Sequence, residues 1–266
     1  MGERCKTKYP VLLIHGAGCR DDGCKTNWGA IPSALRREGA SVFFSGQDAL
    51  CAVDRGARQL RRAMVRALRI SGAKKLNLIA HSLGGLEARY AVSCLGMGPY
   101  TASLTTLSTP HHGARSADRL CRLPNALFQT VCPGVNSLFW LMGDRCPDLE
   151  GVARGLCTEA LQHFNETVKD RADVFYQSFG AVLRSPQKDP ILFLPWAGLR
   201  RWDGANDGVI PLSSMEWGEY RGTLGERTAG GISHAHIVDC RPFRDPDFDA
   251  PAFYIRLVEE LKNRGF

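Results

Sequence analysis

No apolar run in this 266-residue chain reaches the roughly 18 residues needed to cross a bilayer, so no transmembrane helix is expected. None of its ten cysteines is paired as CxxC, and no other spacing resembles a zinc site, which argues against a structural metal. Internal repeats and low-complexity tracts are missing too, which sets aside solenoid and linker architectures. The first strand candidate begins about ten residues from Met1, so no signal peptide is expected within this sequence. The compartment therefore stays open between the cytoplasm and a secreted, trimmed form.

The residues present suit a globular enzyme. At 44% hydrophobic and 23% charged, the chain can fill one large core, and we read residues 1–266 as a single α/β domain with one insertion. The net charge of +7 is largely carried by Arg55, Arg58, Arg61, Arg62, Arg66 and Arg69. Ala57, Leu60, Met64, Ala67 and Leu68 recur at helical spacing in the same segment, so most of the arginines fall on the opposite face. A solvated helix face is the first reading of that stripe, and attraction to anionic lipid is the second. Nucleic acid is not expected as a partner, because neither interleaved aromatics nor a binding motif accompanies the charge. Ten cysteines is a high count, and the four from Cys121 to Cys157 are the best placed for disulfides; free thiols remain the alternative.

Along the chain, apolar runs alternate with helical patterns. Strands are expected at Val11 to Ile14, Ser41 to Phe44, Leu76 to Ala80 and Ser103 to Leu107. Helices are expected at Ile31 to Glu38, Ala52 to Ile70 and Leu86 to Leu95. Such alternation predicts a mostly parallel sheet with helices on both faces, whose ligands gather past the C-terminal strand ends. The alternation stops over about 114–174, where "RLCRLPNALFQTVCPGVNSLFWLMGD" is too apolar for a loop. One or two amphipathic helices are expected there, broken at Pro133-Gly134, with a further helix over Glu159 to Val168; they form either ordinary core or a mobile cover. Strands resume at Val174 to Phe179 and at Ile191 to Leu194, and a helix from Pro251 to Lys262 ends the pattern.

The chemistry is read from Ala80-His81-Ser82-Leu83-Gly84, directly after an apolar run and directly before a helical one. A Gly-x-Ser-x-Gly elbow needs minimal flanking side chains because strand and helix pass close together, and alanine in the first small position is a mild departure. Ser82 is the candidate nucleophile. On this type of scaffold the acid and then the histidine follow the serine in the chain. That order leaves His234, with His236 as the fallback, in the glycine-led "GGISHAHIVDC". Asp207, in "GANDGVIPLSS", is the leading acid, ahead of Asp203 and Glu216. It would hold the imidazole tautomer and stabilise the imidazolium. Backbone N–H groups of Leu83 and of Ala17, in "LLIHGAGCRDDG", are the candidate oxyanion donors, with His15 bracing the second loop.

With these residues identified, the chain resembles the bacterial true lipases of the α/β-hydrolase fold, the group holding the secreted triacylglycerol lipases of Pseudomonas and Burkholderia. The matching words are "YPVLLIHGAG", "NWGAIPSALRREGA", "LNLIAHSLGGLEARYAVS", "TASLTTLSTPHHGARSAD", "FNETVKDRADVFYQSFG" and "ANDGVIPLSS", spread from Tyr9 to about Ser214. The resemblance implies Ser82, Asp207 and His234 as a triad, Ala17 and Leu83 as oxyanion donors, and residues of about 114–174 as a lid that opens at a lipid surface. In that family an aspartate two residues after the catalytic histidine often helps to hold a structural calcium. Here that position is His236, a poor calcium ligand, and the nearest carboxylate is Asp239, so no metal or other cofactor is expected.

The expected activity is serine-dependent hydrolysis of long-chain acyl esters through an acyl-enzyme, with transient contact to a lipid interface. A soluble short-chain esterase or acyltransferase is the alternative, and an inactive hydrolase-fold binding protein is a remote third. Acyl length, stereochemical preference and oligomeric state are not readable from the chain.

Overall fold

Six parallel strands form the central sheet of the computed structural model, which describes residues 2–22, 25–122, 124–241 and 246–266. The strands are β1 (Val11–Ile14), β4 (Val42–Phe44), β5 (Leu76–His81), β6 (Thr101–Leu107), β7 (Phe175–Ala181) and β8 (Glu219–Leu224), in the spatial order β4-β1-β5-β6-β7-β8. A separate antiparallel pair, β2 (Asp21–Asp22) and β3 (Lys25–Thr26), lies in the loop after β1.

Both faces of the sheet are covered, which is why its central strands read as unbroken apolar runs. The period of two divides β1 between two cores. Val11 and Leu13 pack with Ile31 and Leu35 of α1 (Ile31–Arg37) and with Tyr254, Leu257 and Leu261 of the terminal helix, Ala250–Asn263. Leu12 and Ile14 pack on the other side with Leu60 and Met64 of α2 (Val53–Ser71) and with Ala88 and Val92 of α3 (Leu83–Cys94). The expected fold class is thus observed, and the strand ends carrying His15, Ser82 and Thr109 share one edge of the sheet.

The insertion between β6 and β7 is richer in helix than its sequence indicates. It holds α4 (Arg115–Cys121), α5 (Asn125–Leu141), α6 (Leu149–Gly155) and α7 (Thr158–Thr167). The expected break at Pro133-Gly134 is absent: Pro133 sits on the exposed side of α5, inside one continuous helix. The ring forfeits a backbone hydrogen bond where water can replace it, while Val135 and Phe139 on the inner side pack against a small core of Leu50, Leu83, Leu86, Val152 and Leu161. A disulfide, Cys121–Cys157, joins the end of α4 to the start of α7. Cys5, Cys19, Cys51, Cys94, Cys132, Cys146 and Cys240 are free thiols, and Cys24 lies outside the described residues.

Two further expectations are corrected. Ile191 to Leu194 is not a strand: a 3-10 turn over Pro190–Leu192 leads into α8 (Phe193–Trp202). The prolines at 190 and 195 occupy first-turn positions, where a missing N–H costs nothing and the fixed φ favours a helix. The strand at Glu219–Leu224 was not foreseen, because this edge strand is nowhere fully buried and so shows no apolar run. The chain ends in α9, the helix Ala250–Asn263, capped by the Asp249 side chain, which accepts from Ala252 N at 2.9 Å.

Candidate active site

Ser82 occupies the junction of β5 and α3 with φ 55° and ψ −131°, a conformation that side chains avoid. The neighbouring strand holds it there: Ser82 N donates to Leu107 O at 2.9 Å, and Thr109 Oγ1 donates to Ser82 O at 2.9 Å. Small residues make the approach possible. A Cβ on Gly16 would lie 2.6 Å from Ser82 Cβ, and one on Gly84 would lie 2.3 Å from His15 O, so the loop after β1 rests directly on the serine turn. This contact explains why α3 starts at Leu83, three residues earlier than expected. Gly84 and Gly85 are helical positions of α3 that must lack side chains, a Cβ on Gly85 falling 2.1 Å from Thr109 Oγ1.

Ala17 follows Gly16 in that same loop, which is tied down by Gly18 N donating to Ala49 O at 2.7 Å. His15 braces it with ring contacts to Gly16 O at 2.9 Å and Gln47 O at 3.2 Å, the structural part expected of it. Leu83 is the first residue of α3, where the N–H has no partner within the helix and the positive end of the helix dipole lies. The two candidate oxyanion donors therefore flank Ser82 from separate elements.

Asp207 and His234 are brought together. Asp207 Oδ2 lies 2.6 Å from His234 Nδ1, and a backbone bond from His234 N to Asp207 O at 2.9 Å holds the two loops in register. The other carboxylate oxygen, Oδ1, accepts from Val209 N at 2.9 Å and Ile210 N at 2.8 Å, so the buried anion is satisfied by fixed donors. The His234 ring packs at 4.3 Å against that of His81, the residue before Ser82. No hydrogen bond joins Ser82 Oγ to His234 in this structure, and Ser82 is only 7% exposed.

The runners-up serve elsewhere. Asp203 accepts from Arg115 N at 2.7 Å and Ser116 N at 3.1 Å, and so anchors the start of α4. Glu216 meets His112 through its backbone oxygen. His236 Nδ1 lies 2.7 Å from Ser233 Oγ, which donates to Asp189 Oδ2 at 2.7 Å; Arg241 Nε donates to the same oxygen at 2.9 Å. This buried cluster braces the loop on both sides of His234.

Three supporting residues escaped sequence reasoning. His81 is buried, and desolvation first, then the nearby His234, pushes its pKa well below the usual histidine range. It stays neutral, so it adds no charge that would oppose an imidazolium at His234. Glu87, on α3, is held well above the usual carboxylate range by burial, against the hydrogen bond it accepts from Gln47 Nε2 at 2.9 Å. Arg89 is buried beneath the insertion with its guanidinium 3.5 Å from the Trp217 ring centroid, and it donates to Asn165 Oδ1 of α7 at 2.8 Å. Burial lowers its pKa to about 10, with Asp170 opposing that shift. Only a charged residue within an otherwise apolar helix pattern could have signalled the last two.

Between α4 and α8 an apolar cleft of about 410 Å³ is lined by Pro110, Leu120, Leu199, Trp202, Val209 and Ile210, the last two being the residues whose N–H groups hold Asp207.

Comparison with solved structures places this architecture. A Staphylococcus hyicus lipase superposes with a TM-score of 0.74 at 12% identity, covering 97% of both chains. A metagenomic carboxyl esterase gives 0.73 at 15% identity over 97% of this chain and 76% of its own. The chain has the α/β-hydrolase fold. By sequence, the family described as "Putative serine esterase (DUF676)" matches residues 36–131 of this chain. A triacylglycerol lipase 2 of Saccharomyces cerevisiae is 26% identical over 260 residues, covering 90% of this chain and 74% of the yeast protein. A triacylglycerol lipase of Pseudomonas fragi is 38% identical over 145 residues, 52% of this chain and 48% of its own, so the match spans about half the length of that relative. Together these similarities support ester hydrolysis of the lipase and esterase kind.

Proposed function

We propose that the protein is a serine carboxylester hydrolase that cleaves long-chain acyl esters of the triacylglycerol type. Ser82 Oγ attacks the ester carbonyl while His234 Nε2 takes its proton. The tetrahedral oxyanion is met by the N–H groups of Ala17 and Leu83, and Asp207 stabilises the imidazolium. Collapse expels the alkoxide, which leaves with the proton from His234, and water activated by the same imidazole then releases the acid.

The observation that carries this reading is the Asp207–His234 pair at 2.6 Å, its imidazole packed against His81, the residue before a serine held in a strained turn. The long-chain preference draws support from the apolar cleft beside Val209 and Ile210 and from relatives named as triacylglycerol lipases. We read residues of about 114–174 as a lid within a single domain, and the Pseudomonas and Burkholderia enzymes as a bacterial analogy. A short-chain esterase is the second reading. It is favoured by the buried anchors of the insertion, Arg89 to Asn165 and Asp144 to the N–H groups of Ala49 and Leu50.

The calcium implied by the bacterial analogy does not fit these residues. Asp239 Oδ2 accepts from Ala30 N at 2.7 Å, His236 faces Ser233, and no group of three or more acidic, histidine or cysteine side chains gathers for a metal among the described residues.

Initial rates on p-nitrophenyl esters from butyrate to palmitate, below and above their solubility limit, test the reading, with Ser82→Ala as control. A Ser82-dependent rate that favours long chains and rises on aggregation is expected. A Ser82-dependent rate confined to short, dissolved esters would instead establish the second reading.

A further inference from the structure

The excess charge of the chain is concentrated on one helix. Residues 53–75, comprising α2 and the turn after it, hold eight of the 34 lysines and arginines but one of the 27 acidic residues. Their net charge of +7 equals that of the whole chain, and the rest of the protein carries 26 residues of each sign. α2 buries Ala57, Leu60, Ala63, Met64 and Ala67, and on its opposite side Arg55, Arg58, Arg61, Arg62, Arg66 and Arg69 are all exposed. Arg58 lies 3.8 Å from Asp54, and Arg55 lies 4.0 Å from Asp148. Among the described residues no carboxylate pairs with Arg61, Arg62, Arg66 or Arg69, which line a shallow groove of about 420 Å³ together with Val65.

A merely solvated helix face would alternate its charges at i,i+4. Here Arg58, Arg62 and Arg66 repeat the same sign at that spacing, which works against the helix. The stripe also exposes Val65, at 41%, and Ile70, at 67%, between and beside the arginines.

We propose that this stripe docks the protein on an anionic phospholipid surface. Four to eight clustered basic residues on an amphipathic helix complement such a surface, and arginine stems with two aliphatic side chains can settle between headgroups. A single-stranded nucleic acid would call for stacking aromatics, and residues 53–75 contain none. One end of the stripe reaches the insertion, since Arg55 lies 4.0 Å from Asp148, the N-cap of α6. Docking deepens the proposed action on lipid esters, but the binding it predicts does not depend on that activity.

The test is co-sedimentation of the whole protein with vesicles of phosphatidylcholine alone or mixed with phosphatidylglycerol, beside the variant Arg61→Gln/Arg62→Gln/Arg66→Gln/Arg69→Gln. The expected results are at least about tenfold stronger partitioning onto the anionic vesicles, its loss at ~1 M salt, and a drop of about a hundredfold or more in the variant. Unchanged hydrolysis of a soluble short-chain ester, or an unchanged circular dichroism melt, certifies the variant's fold. Should the wild type bind anionic vesicles yet hydrolyse no ester, the function reading fails while docking stands. Equal binding to both vesicle types, or a variant that binds like wild type, overturns docking. Tighter binding to duplex DNA than to anionic vesicles at equal charge concentration replaces it with a nucleic-acid surface.

Discussion

Ser82 carries both the proposed chemistry and a backbone that its side chain disfavours. At φ 55° it stores strain of about 1–3 kcal/mol, which Gly would relieve and Ala would not. Ser82→Gly should therefore melt higher than Ser82→Ala by about 1 kcal/mol in stability, while both lose turnover by about 10⁴-fold or more. Equal stability of the two variants, or residual wild-type rates, would contradict that assignment. Glu87 offers a pH test. Its folded pKa is raised above 4.5 by burial, so folding is least hindered by it below pH 4.5, and stability falls as pH rises from there through the folded value. Glu87→Gln keeps an acceptor for Gln47 and removes the charge. The variant should gain melting temperature over wild type at pH 8 and gain little at pH 4, whereas a gain independent of pH would show that Glu87 is not the cause. These residues also mark the limit of legibility. Ser82, Asp207 and His234 could be picked out because chain order and turn residues restrict the choice, and the structure brings Asp207 to His234. The parts played by Glu87, Arg89 and His81 could not, because their partners are distant in sequence.

At the scale of elements, the central strands were legible because burial on both faces leaves unbroken apolar runs, and the β8 edge was not because it is nowhere fully buried. Prolines misled the reading twice: Pro133 is tolerated on the wet side of α5, and Pro195 sits in the first turn of α8, where an apolar run had suggested a strand. What holds this cover is equally non-local. Arg89 reaches from α3 to Asn165 Oδ1 and Val168 O, and its ring neighbours are Trp217 and Phe164. Removing the guanidinium leaves Asp170, 3.7 Å from Arg89 Nε, short of its partner. Arg89→Met should cost about 3–5 kcal/mol. The loss should fall first on α7, read as faster amide exchange over residues 158–168 at a temperature where β5 and β6 remain protected. Uniform loss of protection across the sheet would mean that Arg89 supports the core and not the cover.

Over the whole molecule, two surfaces depart from the usual mixed polar exterior. One is the arginine face of α2. The other is spread over the cover, where Leu138, Trp140, Leu141 and Met142 at the end of α5, with Ile191 and Leu194 before and within α8, stand largely in water. Single exposed apolar residues are ordinary, but a cluster of four at the end of α5 and further ones at the start of α8 suit a surface that meets a medium other than water. Leu141, 75% exposed, and Leu194, 78% exposed, are not among the residues assigned to the chemistry. Leu141→Asp/Leu194→Asp should therefore hydrolyse a dissolved butyrate ester at the wild-type rate. On an emulsified long-chain ester it should lose about tenfold or more, since each carboxylate carried into an apolar interface opposes the contact that two leucines favour. If the variant loses activity equally on both substrates, the leucines support the site through packing. If it loses on neither, the cover does not meet the substrate phase, and the short-chain esterase becomes the better account of the same triad.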